Sequence, residues 1–139
     1  MIPSPHRWTF RSYCSEAGDE IRGWYECQTR PVQAEITVVA LYLQPLDVQG
    51  WIDSDRDYKD LRGKLSGLGE LRFVVGKEQH RVLGFRNDDL KEFTMLVAGR
   101  KIAKFDFYLR HGPTALKRKA EVDSDRARFS CNADWILLP

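Results

Sequence analysis

The chain has 139 residues, of which 42% are hydrophobic and 16 are Trp, Tyr or Phe, so it can bury the core of one globular domain and is not a wholly disordered chain. Its net charge of +2 is unevenly spread: residues 59–119 contain 15 Lys or Arg against seven Asp or Glu, and the remainder is acidic. A basic central block indicates either a face for an anion, most often a polyanion, or simply a solvated sheet surface, and charge alone favours neither.

The sequence predicts a cytoplasmic protein. Its longest apolar run, residues 36–43, is too short to cross a bilayer, and the N-terminus lacks the basic and apolar stretches of a signal peptide. The three cysteines, Cys14, Cys27 and Cys131, are odd in number and have no metal-ligand spacing. We therefore expect neither a disulfide framework nor a zinc site. We also expect the protein to reside in a reducing compartment.

The N-terminal third predicts one strand followed by two helices. Aromatic residues near alternating spacing in residues 7–13 predict a short strand. Apolar residues at helical spacing in residues 19–28 predict a short helix. A second helix follows, with Thr29 as N-cap and Pro31 in its first turn, and ends before Pro45. We expect the two helices to form an antiparallel hairpin.

The remaining chain predicts a meander and a third helix. Polar residues 47–66 read as a connection, and three apolar segments then predict antiparallel strands at residues 70–75, 80–85 and 92–98. The first two are joined by a four-residue turn, and Gly84 marks a bulge. Residues 113–122 predict a helix beginning near Pro113, and the apolar end of the tail after residue 123, Trp135 to Leu138, is expected to dock on the core.

The predicted fold class is α+β: a short N-terminal strand, a helical hairpin, an antiparallel three-stranded meander and a C-terminal helix. We expect a single domain over residues 1–139, with a C-terminal extension from about residue 123. A helical layer on one face of a small sheet leaves the other face open, and we expect the excess basic residues there.

Residues 61–122 resemble a known family in the segments LRGKLSGLGELRFVVGKEQHRVLGF, EFTMLVAGRKIAKF and ALKRKAEV. In order and spacing they are similar to the RelE/HigB superfamily of toxin–antitoxin toxins, and most similar to its phage-derived HigB-like branch. The segment at residues 100–107, RKIAKFDF, departs from the Lys-Lys-Thr-x-x-Thr-Pro pattern of many relatives. The resemblance covers about residues 7–122.

The resemblance implies a RelE-like toxin fold and a cytoplasmic endoribonuclease that cuts mRNA, commonly on the translating ribosome. Such an mRNA interferase needs no metal or other cofactor. It also implies a protein partner, a cognate antitoxin that often carries a helix-turn-helix domain.

Two arginines are candidates for binding the scissile phosphate. In metal-free RNA cleavage the ribose 2′-hydroxyl attacks phosphorus, and a planar guanidinium can hold two of the phosphate oxygens. The resemblance places a phosphate-binding arginine at Arg81 and a basic catalytic residue at Arg72, and we expect the two as diagonal neighbours on one sheet face. Alternatively, Arg81 is a sheet-surface arginine, and Arg72 pairs with Glu70 or an acidic helix residue.

The resemblance also suggests three acid–base candidates and a basic cluster. The acid–base candidates are His80, Tyr108 and His111. His80 stands where relatives often have Tyr, and the alternative is that it is a partly buried aromatic replacement. The residues expected to bind RNA are Lys64, Arg100, Lys101 and Lys104. Two other functions stay open: a non-catalytic RNA- or protein-binding module with the same fold, and a phage-related assembly protein that docks through its apolar tail.

Overall fold

The computed structural model describes residues 7–138, apart from the side chains of residues 104 and 105. In this part of the chain the strands are β1 (Thr9–Ser15), β2 (Gly18–Asp19), β3 (Tyr58–Asp60), β4 (Gly69–Val75), β5 (Glu78–Asn87), β6 (Glu92–Lys101) and β7 (Ser130–Asn132). The helices are α1 (Glu20–Glu26), α2 (Arg30–Leu43), α3 (Val48–Asp53), α4 (Lys104–Ser124) and α5 (Arg126–Phe129). Two 3-10 helices cover Gly63–Leu65 and Asp134–Leu137. The α+β class is confirmed.

All seven strands belong to one mixed sheet. Its order is β2-β1-β6-β5-β4-β3, and β7 also pairs with β1. The antiparallel meander is confirmed as β4-β5-β6, with the expected bulge between Leu83 and Gly84. β1 lies beside β6 and runs parallel to it. The sheet is larger than the predicted arrangement, because β2, β3 and β7 add to it.

Helices α1 and α2 form close to the predicted positions. The Asp19 carboxylate accepts hydrogen bonds from the backbone N–H groups of Ile21 and Arg22 and so caps α1. Thr29 precedes α2, and Pro31 lies in its first turn, where a missing N–H costs little. The buried stripe of α2 packs on the sheet with the residues Val32, Ile36, Val39, Ala40 and Leu43.

Large aromatic rings fill the core between α1–α3 and the sheet. The fully buried rings are Trp8, Phe10, Trp51, Tyr58 and Phe93. Two paired glycines, Gly69 and Gly84, leave room for these rings on the sheet. A Cβ at Gly69 would clash with the Tyr58 ring, and a Cβ at Gly84 would clash with the Phe93 ring and the Thr94 carbonyl.

The second sheet face is covered by α4, so the expectation of an open basic face was wrong. Helix α4 buries Phe107, Ala115 and Val122 with Leu83 and Leu96 of the sheet. The helix begins at Lys104, nine residues before its predicted start, because Pro113 lies inside it rather than at its first turn. The turns on both sides of this proline are packed on the sheet, which maintains the helix despite the missing N–H. No described helix has both the length and the apolar character needed to cross a membrane.

Residues 47–66 are not the unstructured connection that their polarity indicated. They contain α3 and β3, and the Asp47 carboxylate caps α3 by accepting a hydrogen bond of 2.7 Å from the Gly50 N–H. Trp51 of α3 and Tyr58 of β3 are both buried, with ring centroids 5.1 Å apart. Two large rings therefore anchor a segment that is otherwise rich in aspartate.

The C-terminal segment completes the sheet and contains a disulfide. Cys131 of β7 is bonded to Cys14 of β1, with Cα atoms 6.0 Å apart, so the expectation of no disulfide was wrong. The spacing of the cysteines could not reveal this bond, because strand pairing brings together residues 117 positions apart. The expected docking of the tail is confirmed: Ile136 is fully buried, and the Trp135 ring lies 4.8 Å from that of Tyr25. Leu138 stays exposed.

Candidate functional site

Arg72 and Arg81 face each other across β4 and β5. The turn between these strands is shorter than predicted, because β4 ends at Val75 and β5 begins at Glu78. The two arginines are therefore direct cross-strand partners, and the expectation of diagonal neighbours was wrong. Their side chains lie on the sheet face that α4 covers. Both approach one carboxylate: Arg72 Nε donates to Glu70 Oε1 at 3.1 Å, and Arg81 Nε lies 3.7 Å from the same oxygen.

The two arginines differ in exposure. The Arg81 side chain is 7% exposed and donates hydrogen bonds to the His80 carbonyl at 2.9 Å and to Gln79 Oε1 at 3.0 Å. The Arg72 side chain is 27% exposed and donates to the Asp55 carbonyl at 3.2 Å. Arg72 can therefore meet a ligand directly, whereas Arg81 is held within the sheet.

Tyr108 of α4 completes this cluster. Its hydroxyl donates to both carboxylate oxygens of Glu70, at 2.9 and 2.8 Å. Burial, followed by the neighbouring carboxylate, raises the pKa of Tyr108 to about 12, so the phenol is protonated at neutral pH. We call Glu70, Arg72, Arg81 and Tyr108 the Glu70 cluster. The alternative interpretation of Arg72, an ion pair with Glu70, is therefore observed.

An open cleft of about 980 Å³ lies between α4 and the segment from β3 to the first 3-10 helix; we call it the α4 cleft. Its cationic lining residues are Lys59, Arg62, Lys64, Arg72 and Lys101, and its carboxylates are Asp60 and Glu70. Its apolar walls include Leu61, Leu65, Leu109, Pro113 and Leu116, and Tyr108 also lines it. Net positive charge beside apolar walls suits a ligand that carries both phosphates and flat bases.

Arg81 lines a different and smaller cleft, which Arg72 shares. This cleft has a volume of about 270 Å³ and lies at the edge of β4. Carboxylates of Glu35, Asp55 and Asp57 line it too, and burial raises the pKa of Asp57. The smaller cleft is therefore less suited to an anion than the α4 cleft.

Lys64 and Lys101, two of the residues expected to bind RNA, both line the α4 cleft. Lys101 Nζ is 5.9 Å from the centre of the Tyr108 ring, which is within the range of a cation–π contact. Lys64 is exposed on the 3-10 helix at the opposite wall. The side chain of Lys104 lies outside the described part of the structure.

His80 and Arg100 lie on the other face of the sheet, away from the Glu70 cluster. Successive strand residues point to opposite faces, so His80 turns away from Arg81 and stacks on Phe73 with ring centroids 5.1 Å apart. Burial lowers the pKa of His80 and outweighs the attraction of Glu78, whose carboxylate lies 3.6 Å away. Arg100, the cross-strand partner of His80, pairs with the same Glu78 at 3.0 Å.

His111 lies on the same sheet face as the Glu70 cluster, above β6. A Cβ at Gly99, the cross-strand partner of Arg81, would lie 3.2 Å from His111 Nε2. The His111 ring also packs on Phe107 at 4.8 Å, and burial, with Arg110 nearby, lowers its pKa. His111 is therefore mostly neutral at pH 7 and packs beside the cluster.

Glu70 is the residue of the cluster that sequence reasoning did not select as functional. It lies two positions before Arg72 on the same strand face, and this spacing is a signal for a contact within the strand. The second contact, to Tyr108, joins residues 38 positions apart and depends on how α4 crosses the sheet.

Comparisons of the chain with protein-family models, with curated proteins and with solved structures find no match.

Proposed function

We propose that this protein is a RelE/HigB-type toxin of a type II toxin–antitoxin system, a metal-independent endoribonuclease that cuts mRNA on the ribosome. One observation carries the proposal: Arg72, Arg81 and Tyr108 meet around Glu70, and all of these except Arg81 line the α4 cleft, which has four further cationic side chains. Apart from the additional elements β2, α3, β3, α5 and β7, the chain order of strand, two helices, antiparallel meander and helix also agrees with the resemblance. The proposed partners are mRNA and an antitoxin, in the cytoplasm.

The proposed reaction needs a bound phosphate and an oriented ribose. Arg72, the more exposed arginine, would hold the non-bridging oxygens of the scissile phosphate as negative charge grows on them. The lysines of the α4 cleft would bind neighbouring phosphates, and its apolar walls would contact the bases. Arg81 would keep Glu70 and Arg72 in place rather than contact RNA.

An mRNA-cleavage assay in a purified translation mixture tests the proposal. We expect the wild-type protein to cut mRNA and Arg72→Ala to cut it at least about tenfold more slowly, because the phosphate loses its cation. Lys101→Ala should weaken the binding of RNA more than it slows the chemical step. The measurement is the rate of appearance of cut mRNA at a fixed protein concentration.

Arg22→Ala is the matched control for this assay. Arg22 is an exposed arginine of α1 that pairs only with Glu26 in the described structure, and it lies on the opposite side of the sheet. Its substitution should leave the cleavage rate unchanged. If the folded wild-type protein leaves mRNA intact, the endoribonuclease proposal is wrong.

A non-catalytic RNA-binding module is the second candidate. Two observations favour this candidate. The buried Glu70 carboxylate contacts the guanidinium groups of both Arg72 and Arg81 and so offsets their charge. His80, an acid–base candidate, lies on the other face of the sheet. Such a module would bind single-stranded RNA in a salt-dependent manner and leave it uncut. Binding without cleavage in the same translation mixture would select this candidate.

A further inference from the structure

We propose that Glu70 is a positioning residue that orients the hydroxyl of Tyr108 and takes up its proton, so that the Tyr108 oxygen can accept the proton of a ribose 2′-hydroxyl in the α4 cleft. The inference rests on the proposed endoribonuclease function. It assigns a role to a residue on β4 that acts through Tyr108 and does not itself contact RNA.

The hydrogen bonds of Tyr108 determine which atoms its hydroxyl offers to a ligand. A phenol has one hydrogen to donate, and here both oxygens of Glu70 accept it, at 2.9 and 2.8 Å. The lone pairs of the phenol oxygen are then what it offers to a ligand. Since Tyr108 lines the α4 cleft, that ligand reaches the hydroxyl as a hydrogen-bond donor.

Burial and two neighbouring cations hold the Glu70 carboxylate in place. Its side chain is fully buried, and the guanidinium groups of Arg72 and Arg81 lie 3.1 and 3.7 Å from its Oε1. Two cations compensate the buried charge and fix the carboxylate in one place. A carboxylate fixed in this way defines the direction of the Tyr108 hydroxyl more strictly than solvent would.

The proton movements balance. As the 2′-oxygen bonds to phosphorus, its proton passes to the Tyr108 oxygen, and the former proton of Tyr108 passes to Glu70. The bond from phosphorus to the 5′-oxygen breaks, and the electron pair stays on that oxygen, which takes a proton from water in the open cleft. After the cyclic phosphate leaves, Glu70 returns its proton through Tyr108 to solvent.

The cleavage kinetics of Glu70→Gln and Tyr108→Phe on mRNA in the translation mixture test this inference. We expect each variant to lower kcat roughly a hundredfold, as loss of a general base does, with little change in KM. The double variant should be no slower than the slower single variant, because the two residues act as one unit. Glu70→Asp, which keeps a carboxylate, should recover part of the rate.

A second tyrosine–glutamate pair supplies the matched control. Tyr13 donates to Glu121 Oε1 at 3.1 Å, and neither residue lines the α4 cleft. Tyr13→Phe and Glu121→Gln should leave kcat unchanged. Thermal unfolding of every variant shows whether the fold is kept; if Glu70→Gln unfolds, Tyr108→Phe and Glu70→Asp decide the outcome.

The outcomes separate the two proposals. A wild-type protein that does not cut mRNA overturns the proposed function and this inference with it. A wild-type protein that cuts, together with folded Glu70→Gln or Tyr108→Phe variants that cut equally fast, overturns only the inference. A rise in KM with unchanged kcat also overturns it, since Glu70 would then serve binding alone.

Discussion

Two charged side chains of the sheet interior, Glu70 and Arg81, are almost fully removed from water. Removing one partner of such a pair leaves the other buried without compensation, which commonly costs more than exchanging both for apolar residues. Tyr108 adds a third contact to the same carboxylate. The Glu70 cluster is therefore sensitive to single substitutions, and activity changes in it must be read beside a measurement of folding.

His80 should make the stability of the fold depend on pH. Its folded-state pKa lies below the unfolded value of 6.5, so its contribution is complete above pH 6.5 and is lost as the pH falls through the folded-state pKa. His80→Phe keeps the stack on Phe73 but cannot be protonated. We expect the variant to lose less stability between pH 7 and pH 5 than the wild type, measured by urea unfolding.

His111, whose pKa is also lowered, and Glu78, which faces His80 from the same strand, are common to both proteins. The comparison of the two pH dependences therefore isolates His80 from both residues. Equal losses of stability in the variant and the wild type would show that protonating His80 does not destabilise the folded state.

At the scale of the elements, the packing of β5 on β6 depends on Gly84. A Cβ there would meet the backbone carbonyl of Thr94 as well as the ring of Phe93, and a backbone atom cannot move aside easily. We expect Gly84→Ala to lower the free energy of unfolding by about 2 kcal/mol or more, as overpacking does. Urea denaturation at pH 7 measures this change.

Gly23→Ala is the counterpart of that substitution. Gly23 lies in the middle of α1, and a Cβ there would have no neighbour within 4 Å. Alanine in a helix interior is more favourable than glycine by about 0.5–1 kcal/mol, so this variant should be slightly more stable than the wild type. A loss of stability in Gly23→Ala similar to that of Gly84→Ala would contradict the steric explanation.

Local patterns predicted most elements but not their limits. The two N-terminal helices and the three strands of the meander follow from apolar periodicity and from Thr29, Pro31 and Gly84. The start of α4 was predicted wrongly because Pro113 indicated the first turn of the helix. A proline is tolerated within a helix when the turns around it are packed. Residues 47–66 looked like a connection because aspartates surround the two buried rings of Trp51 and Tyr58.

At the scale of the whole molecule, the disulfide links the N-terminal strand to the C-terminal segment. The Cys14–Cys131 bond closes a loop of 117 positions, and cross-links over long loops restrict the unfolded chain most. We expect Cys131→Ser to lower the free energy of unfolding by about 2–4 kcal/mol under oxidising conditions. Under reducing conditions the variant and the wild type should be nearly equally stable.

Cys27→Ser is the control for the disulfide. Cys27 is an exposed free thiol at the end of α1, and its substitution should leave the stability unchanged in both conditions. Equal stability of the wild type with and without a reductant would show that the bond does not form in solution. The pairing of β1 with β7 through backbone hydrogen bonds does not require it.

The candidate site was only partly predictable, because it depends on the overall arrangement. Alternation along β5 already places His80 and Arg81 on opposite faces, and this could have been inferred from the strand alone. The meeting of Tyr108 with Glu70 could not, since no local pattern tells which face α4 covers. For the same reason the covered sheet face and the α4 cleft emerged only from the assembled fold.

The position of β1 has a consequence for synthesis. β1 is made first but lies inside the sheet, where Thr9 pairs with Glu92 of β6 and Arg11 pairs with Asn132 of β7. A growing chain on the ribosome therefore holds β1 before β6 and β7, two of its three partner strands, have been translated. We expect the sheet to form late and nearly all at once, after most of the chain has emerged from the ribosome. Such long-range strand pairing is slow, and it leaves the incomplete chain exposed to aggregation.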